Sequence, residues 1–180
     1  MIGASSPNTD ICIDLDKDDL PFEDNSVNLI FSDHTSEHVK DNLSVLAKIH
    51  RVLKHGGRLL LGLPYMTETK YRLSSPYHLH NFNEYSFDYF EPKRLKGSAS
   101  QNNQIIFRKI FHRYHYIGRY SRLPEPVRSW CQNHFFNVVR KIDFGLIAIK
   151  NPSEQIQASK ETREDMLKHF DSLYKSPIEF

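Results

Sequence analysis

The residues best suited to chemistry lie in the five-residue sequence HTSEH, which begins at His34, and in a later segment that carries His78 and His80. Histidine can accept a proton from a hydroxyl or an amine because its ordinary pKa lies near neutral pH. We therefore predict His34 and His78 as catalytic residues, with His80 as the next candidate. For His34 a purely structural role is an equal alternative.

The same five residues match H-x-x-E-H, a signature of one group of zinc peptidases. Such a zinc site needs both histidines on one helical face and a third ligand further along the chain. Here His34 is expected at the end of a strand, so we predict no metal site and keep a zinc hydrolase as a minor hypothesis. Glu37 is expected to interact with the exposed amides at the start of a helix.

These residues are positioned by a strand, a helix and a strand between residues 27 and 64. Segments 27–32 and 58–64 are almost entirely apolar, which is typical of strands buried on both faces of a parallel sheet. Between them, residues 39–54 repeat apolar side chains at helical spacing, with Leu43 on the apolar stripe. Gly56-Gly57 then predicts a left-handed turn that ends the helix. This order predicts a parallel crossover unit.

The rest of the chain is predicted to alternate strands, helices and loops. We predict further strands at 10–15, 105–116 and 141–150, and helices at 85–90, 124–136 and 161–174. Segment 65–83 has few periodic apolar residues, and loops of this length usually have a functional role. The sequence after residue 150 is polar and charged, so we expect its helix to be solvated.

Residues 20–64, LPFEDNSVNLIFSDHTSEHVKDNLSVLAKIHRVLKHGGRLLLGLP, resemble the second half of a class I S-adenosylmethionine (SAM) dependent methyltransferase domain of type 11. The family pattern includes LPF, LEH, RVLKPGG and a strand that ends in proline. Segment 74–90 is similar to the family's lid, DP-H…F-SFDYF. The resemblance implies an α/β fold with a Rossmann-like, mostly parallel sheet.

The resemblance also implies roles for individual residues. Ligands of open α/β sheets lie beyond the carboxyl ends of the strands. In this family the segment similar to 7–24 lies near adenine, and the next strand ends near the methionine part of SAM. The expected cofactor-binding residues are therefore Asp14, Leu15, Leu20, Ser32 and Asp33. The lid implies a substrate-binding role for Tyr77, His80, Phe82 and Tyr85, and a packing role for Phe87 and Phe90.

The glycine-rich loop that holds SAM in this family has no counterpart in the 180 residues. The resemblance therefore implies a domain that lacks its first strand–helix–strand unit and exposes an apolar sheet edge. Three explanations are a mis-assigned start codon, a natural fragment or a degenerate homologue that no longer binds SAM. A homo- or hetero-oligomer would cover the open edge.

Composition limits the class of partner. A net charge of +2, from 24 basic and 22 acidic residues, is too balanced to indicate nucleic acid. No apolar run approaches the ~20 residues of a membrane span, and no signal peptide is visible. Cys12, in a predicted buried strand, and Cys131, in a predicted helix, indicate free thiols in a reducing cytosol. We therefore expect a cytoplasmic protein with a small-molecule acceptor.

The predicted organisation is a partial methyltransferase domain over 1–150, with a lid and acceptor segment at 65–104, and a polar tail over 151–180. The resemblance implies methyl transfer from SAM to a hydroxyl or amine of a small molecule or glycan precursor. Such a reaction needs alignment and a desolvated pocket more than strong acids or bases. The alternative is a non-catalytic remnant, or a partner subunit that does not bind SAM by itself.

Overall fold

The computed structural model describes residues 11–70, 73, 75–91, 105–151 and 159–175. The described strands are β1 (Val27–Asp33), β2 (Leu53–Pro64), β3 (Ile106–Tyr116) and β4 (Val139–Ile149). The described α-helices are α1 (Asn42–Val52), α2 (Glu125–His134) and α3 (Lys160–Lys175). Short 3-10 helices lie at Asp88–Phe90 and Gly118–Arg122.

The four strands form one sheet in the order β1-β2-β4-β3. β1 and β2 pair in parallel through the α1 crossover, whereas β4 is antiparallel to both β2 and β3. Because β4 opposes both of its neighbours, β1, β2 and β3 all run in the same direction. This architecture confirms the predicted α/β class. It also confirms the strands expected at 105–116 and 141–150 and the helix expected at 124–136.

Helices cover both faces of the sheet. Strand alternation sends Leu59 and Leu61 to one face and Leu60 to the other. The first face packs against α1, against α2 and against the aromatic residues of the lid. The second face packs against α3, which buries Met166 and Phe170. The result is a helix–sheet–helix sandwich, which leaves the ends of the strands as the places where polar groups can meet.

The strand predicted at 10–15 is wrong for the residues that the structure describes. Residues 11–15 lie in no strand, and Cys12 is exposed rather than buried. A strand needs a hydrogen-bonded neighbour, but the edge of β1 that faces away from β2 has no partner among the described strands. Helix α1 holds the segment instead, because Lys48 Nζ donates to the carbonyl of Leu15 at 3.0 Å.

Strand β1 and helix α1 differ from the prediction in detail. β1 is half-buried, since it is an edge strand among those described. The helix begins later than predicted, where the side chain of Asp41 caps it, and it ends before Leu53. Leu43, predicted on the apolar stripe, is 49% exposed. The prediction that Gly56-Gly57 ends the helix is wrong: Gly56 does have a φ of +78°, but it lies inside β2, which begins directly after the helix at Leu53.

The helix predicted at 161–174 is confirmed as α3, but it is not solvated. Met166 and Phe170 lie one turn apart on one face, and both are fully buried against the sheet. The rings of Phe170 and Phe31 meet edge to face, with centroids 5.3 Å apart. In the described part of the chain, no helix is long and apolar enough to cross a membrane.

The cap of α1 gives a first prediction. Asp41 Oδ1 accepts a hydrogen bond from the backbone N–H of Ser44 at 3.0 Å. Asp41→Ala should therefore lower the free energy of unfolding in urea by about 1 kcal/mol. Asp41→Asn keeps a capping oxygen and should lose much less. Equal losses in the two variants would show that the charge, rather than the cap, is what matters.

Candidate functional site

The polar residues that follow β1 lie at the carboxyl end of the parallel strand pair. The N–H of His34 donates to the carbonyl of Gly62 in β2 at 2.9 Å, which continues the ladder past Asp33. His34 has a φ of +51°, a conformation that residues other than glycine adopt rarely. Strained backbone of this kind is concentrated at functional sites. The segment therefore stands where open α/β sheets bind ligands.

His34 and Glu37 form a hydrogen-bonded pair. His34 Nδ1 lies 3.1 Å from Glu37 Oε1, and the Glu37 side chain is fully buried while the His34 ring is 46% exposed. If Nδ1 carries the proton and donates to the carboxylate, Nε2 keeps a lone pair and can accept another proton. The prediction that Glu37 interacts with the amides at a helix start is wrong, because α1 begins only at Asn42.

The lid docks directly on this segment. The carbonyl of Glu37 accepts from the N–H of Leu79 at 2.7 Å. His38 Nδ1 lies 3.2 Å from the carbonyl of Tyr77, to which it can donate a hydrogen bond. The Tyr77 side chain is exposed, so it can still meet a ligand. Two backbone contacts thus fix the lid beside the predicted catalytic residue His34.

The two lid histidines differ in their surroundings. His80 Nε2 lies 2.8 Å from the carbonyl of Val39, so this ring helps to attach the lid. His78 lies against His38, with ring centroids 4.7 Å apart. The structure therefore brings His34 and His78 onto two segments that are hydrogen-bonded to each other. Roles for His78 and His80 in catalysis or substrate binding stay predictions.

Two of the predicted cofactor residues lie next to the same segment. A cavity of about 20 Å³ is lined by Asp14, Leu15, Asp16, Thr35 and Val39. Small-molecule sites usually enclose ~300 Å³ or more, so this cavity is far too small for SAM as it stands. The hydrogen bond from Lys17, at 2.9 Å, lowers the pKa of Asp14 and keeps its carboxylate available as an acceptor.

The other three predicted cofactor residues do not converge. Leu20 is partly buried against the core, and its carbonyl accepts from Arg51 at 2.8 Å. Ser32 and Asp33 are adjacent on a strand, so their side chains point to opposite faces. Asp33 faces α3: its Oδ1 lies 2.6 Å from the hydroxyl of Tyr174 on that helix and 2.6 Å from Nζ of Lys141 in β4. Asp33 is therefore held in an ion pair, and its role in cofactor binding stays a prediction.

Two of the predicted substrate residues are placed elsewhere. Phe82 is 4% exposed and stacks on Phe87, so its ring packs in the core, and a role in substrate binding stays a prediction. The packing role expected of Phe87 and Phe90 is confirmed by their burial. Tyr85 is exposed and lines a cavity of about 520 Å³ along β3, together with Glu84, His112 and Arg163. A role for Tyr85 in substrate binding stays a prediction.

The sequence did not reveal a buried charge cluster around Asp143 in β4. Asp143 Oδ2 accepts from Arg113 at 2.9 Å and lies 2.5 Å from His115 Nε2. The His115 side chain is 41% exposed, but its Nε2 is bound to this fully buried carboxylate. Burial alone would raise the pKa of Asp143, but the hydrogen bond and charge of His115, with Lys141 and Arg113, hold it below its ordinary value.

The lowered pKa of Asp143 predicts a loss of stability in acid. A carboxyl group whose folded-state pKa is depressed stabilises the fold above its ordinary pKa of 3.8, and this contribution is lost as the pH falls through the folded value. Asp143→Asn should therefore flatten the decline of unfolding free energy in urea below about pH 4. An unchanged acid slope would contradict the prediction. The charged groups around Asp143 are Arg113, His115 and Lys141, with Asp33 and Asp171 beyond them.

A model of the methyltransferase domain family matches residues 4–61. A Streptomyces fradiae protein, described as an uncharacterized 37.1 kDa protein in transposon TN4556, is 44% identical over 45 residues, which are 25% of this chain and 13% of that protein.

Among solved structures, the complex of the Haloferax volcanii Trm112 methyltransferase activator with a methyltransferase is 16% identical, with a TM-score of 0.48. The similarity covers 76% of this chain and 59% of that one. YcgJ of Bacillus subtilis is 18% identical, with a TM-score of 0.47, over 73% of this chain and 68% of YcgJ. The family pattern and the strand–helix–strand unit fall on the same residues. Residues 4–61 are therefore similar to the methyltransferase domain family.

Proposed function

We propose that this protein transfers a methyl group from SAM to a hydroxyl or amine of a small molecule or a glycan precursor. The observation that carries the proposal is the family match over residues 4–61. The position of His34 and Glu37, just beyond the carboxyl end of β1, supports it. Ligands of open α/β sheets lie beyond that end of the strands. A cytoplasmic location stays a prediction.

His34 is the proposed general base. Methyl transfer from a sulfonium is an in-line displacement, and an acceptor hydroxyl or amine becomes a better nucleophile as its proton leaves. The exposed Nε2 of His34 would take that proton, and the carboxylate of Glu37, at 3.1 Å from Nδ1, would stabilise the imidazolium that forms. His78, on the docked lid, is the second candidate.

The cofactor would lie beside Asp14 and Leu15. An ionised Asp14 can accept a hydrogen bond from the exocyclic amine of adenine, so its chemistry suits the cofactor. The adjoining cavity of about 20 Å³ does not suit it in volume. We therefore propose that residues outside the described part of the chain, or a partner, complete the cofactor site.

The small cavity also favours a second candidate function, that of a non-catalytic partner subunit or remnant. β1 presents an edge with no strand partner among the described residues, and such an edge can pair with another chain. In this case the protein would cover that edge in a homo- or hetero-oligomer. Light scattering of the purified chain, alone and with a candidate partner, would detect the assembly.

Calorimetry with SAM and S-adenosylhomocysteine separates the two candidates. Binding by the 180-residue chain would support the enzyme. Binding only by a version extended with upstream in-frame codons would assign the missing part of the site to those codons. A folded chain that binds neither ligand would contradict the claim that it is an enzyme by itself.

Asp14 provides the matched mutational test. Asp14→Ala should weaken SAM binding by about 10- to 150-fold, because a hydrogen bond to a charged group contributes about 1.5 to 3 kcal/mol. Asp19→Ala, at an exposed position in the same loop, should leave the affinity unchanged. Equal affinities for the two variants would remove Asp14 from the cofactor site.

A further inference from the structure

Two buried polar atoms beside His38 have no hydrogen-bond partner among the residues that the structure describes. They are Oε2 of Glu37 and Nδ1 of His78. The side chain of Glu37 is fully buried, and its other oxygen, Oε1, already contacts His34. A buried carboxylate oxygen without a partner is costly, and an ion that binds it is one of the few explanations.

The histidine between these two atoms has a ring orientation that suits a metal ligand. His38 Nδ1 is directed at the carbonyl of Tyr77, which fixes the proton on that nitrogen. The lone pair is then on Nε2, which lies 4.0 Å from Glu37 Oε1. A backbone carbonyl that orients a ligating imidazole in this way is the usual second-shell partner in metal sites.

We infer that Glu37, His38 and His78 bind a zinc ion. Each residue offers one ligand atom, and the three atoms lie within 4.8 Å of one another. Two imidazole nitrogens and one carboxylate form a donor set that zinc uses in open sites, with a fourth position for water or substrate. Bonds of about 2.0–2.2 Å place ligand atoms about 3.4 Å apart in tetrahedral geometry, so small side-chain shifts would close the site.

This site differs from the one that the H-x-x-E-H pattern suggested, and it replaces the prediction of no metal. The pattern would use His34 and His38, with Glu37 as a base. In the structure His34 is not among the three grouped residues, and the third ligand comes from the lid. The ion would join the lid to the segment after β1, where the carbonyl of Glu37 already holds Leu79. The inference does not depend on SAM binding.

Titration of the metal-free 180-residue chain with zinc chloride, followed by calorimetry, tests the site. We expect one zinc per chain. His78→Ala and Glu37→Gln should each weaken binding by on the order of 100-fold or more, since loss of a second-shell group alone costs 10- to 100-fold. His134→Ala removes an exposed histidine of α2 whose Nδ1 contacts the carbonyl of Trp130, and it should bind zinc as the parent does.

Two readouts separate metal binding from folding. Zinc should raise the melting temperature of the parent and of His134→Ala but not that of His78→Ala, and His78→Gln serves if the alanine variant does not fold. The visible spectrum of bound cobalt should indicate a four- or five-coordinate site. A folded chain that binds no zinc, or whose affinity does not change in His78→Ala, would overturn the inference. So would a greater loss in His34→Ala than in His78→Ala, which would favour the H-x-x-E-H arrangement.

Discussion

Phe170→Ala should lower the free energy of unfolding by about 3 to 5 kcal/mol, the usual cost of removing a buried phenylalanine. The ring is fully buried on the second face of the sheet, among Leu60, Phe111 and Met166. Its centroid also lies 5.5 Å from the guanidinium of Arg113, so the substitution removes a cation–π contact. Because α3 is joined to this face by few other buried side chains, the cavity would loosen the whole helix.

Lys168→Ala is the matched control for this prediction. Lys168 lies on the exposed side of the same helix, and alanine is at least as good a helix former, so its effect should stay within about 0.5 kcal/mol. Urea unfolding curves of the two variants give the comparison. Equal stabilities would mean that α3 is a detachable tail, as the polar composition of residues 151–180 suggested.

The sequence failed to predict the burial of α3 because its apolar face is narrow. Met166 and Phe170 stand among charged residues, and the average polarity of the segment is high. Two large apolar residues four positions apart are nevertheless enough for a helix to pack on a sheet face that no other element covers. Sequence patterns show the spacing of the pair but not the empty sheet face that receives it.

The strands were more predictable than the side-chain contacts at their ends. Continuous apolar runs and a helical repeat predicted β1, α1 and β2 because local spacing fixes these elements. The segment at 10–15 failed because a strand is defined by its neighbour rather than by its own composition. The charge cluster around Asp143 was not predicted for a similar reason: its partners Arg113 and His115 lie on another strand, about 30 residues earlier.

The candidate site was likewise predictable in its location but not in its side-chain contacts. The family resemblance implied substrate-binding residues on the lid, and the structure docks the lid on the segment that follows β1. The resemblance did not indicate that Glu37 is fully buried or that it contacts the His34 ring. The sequence spacing of three residues would suggest a helical turn, but His34 has positive φ and α1 has not yet begun. Only the folded backbone shows how this pair is oriented.

His34→Asn should lower kcat for methyl transfer by about 10²- to 10⁴-fold, the usual contribution of a positioned general base. Asparagine tolerates the φ of +51° at this position, so the backbone after β1 should be preserved. The variant cannot accept a proton, and the buried carboxylate of Glu37 would then stabilise no imidazolium. SAM affinity, measured by calorimetry, should change little, because the proposed role of His34 concerns the acceptor.

The pH profile makes this prediction specific to a base. The pH–rate profile of the parent should show the limb of a general base, whereas the residual activity of His34→Asn should lack that limb. His134→Ala, which removes an exposed histidine on α2, should keep the parental profile. A His34→Asn variant that loses SAM binding together with activity would assign His34 to the cofactor site instead. A variant that keeps full activity would leave His34 with only the backbone role that its hydrogen bond to Gly62 already supplies.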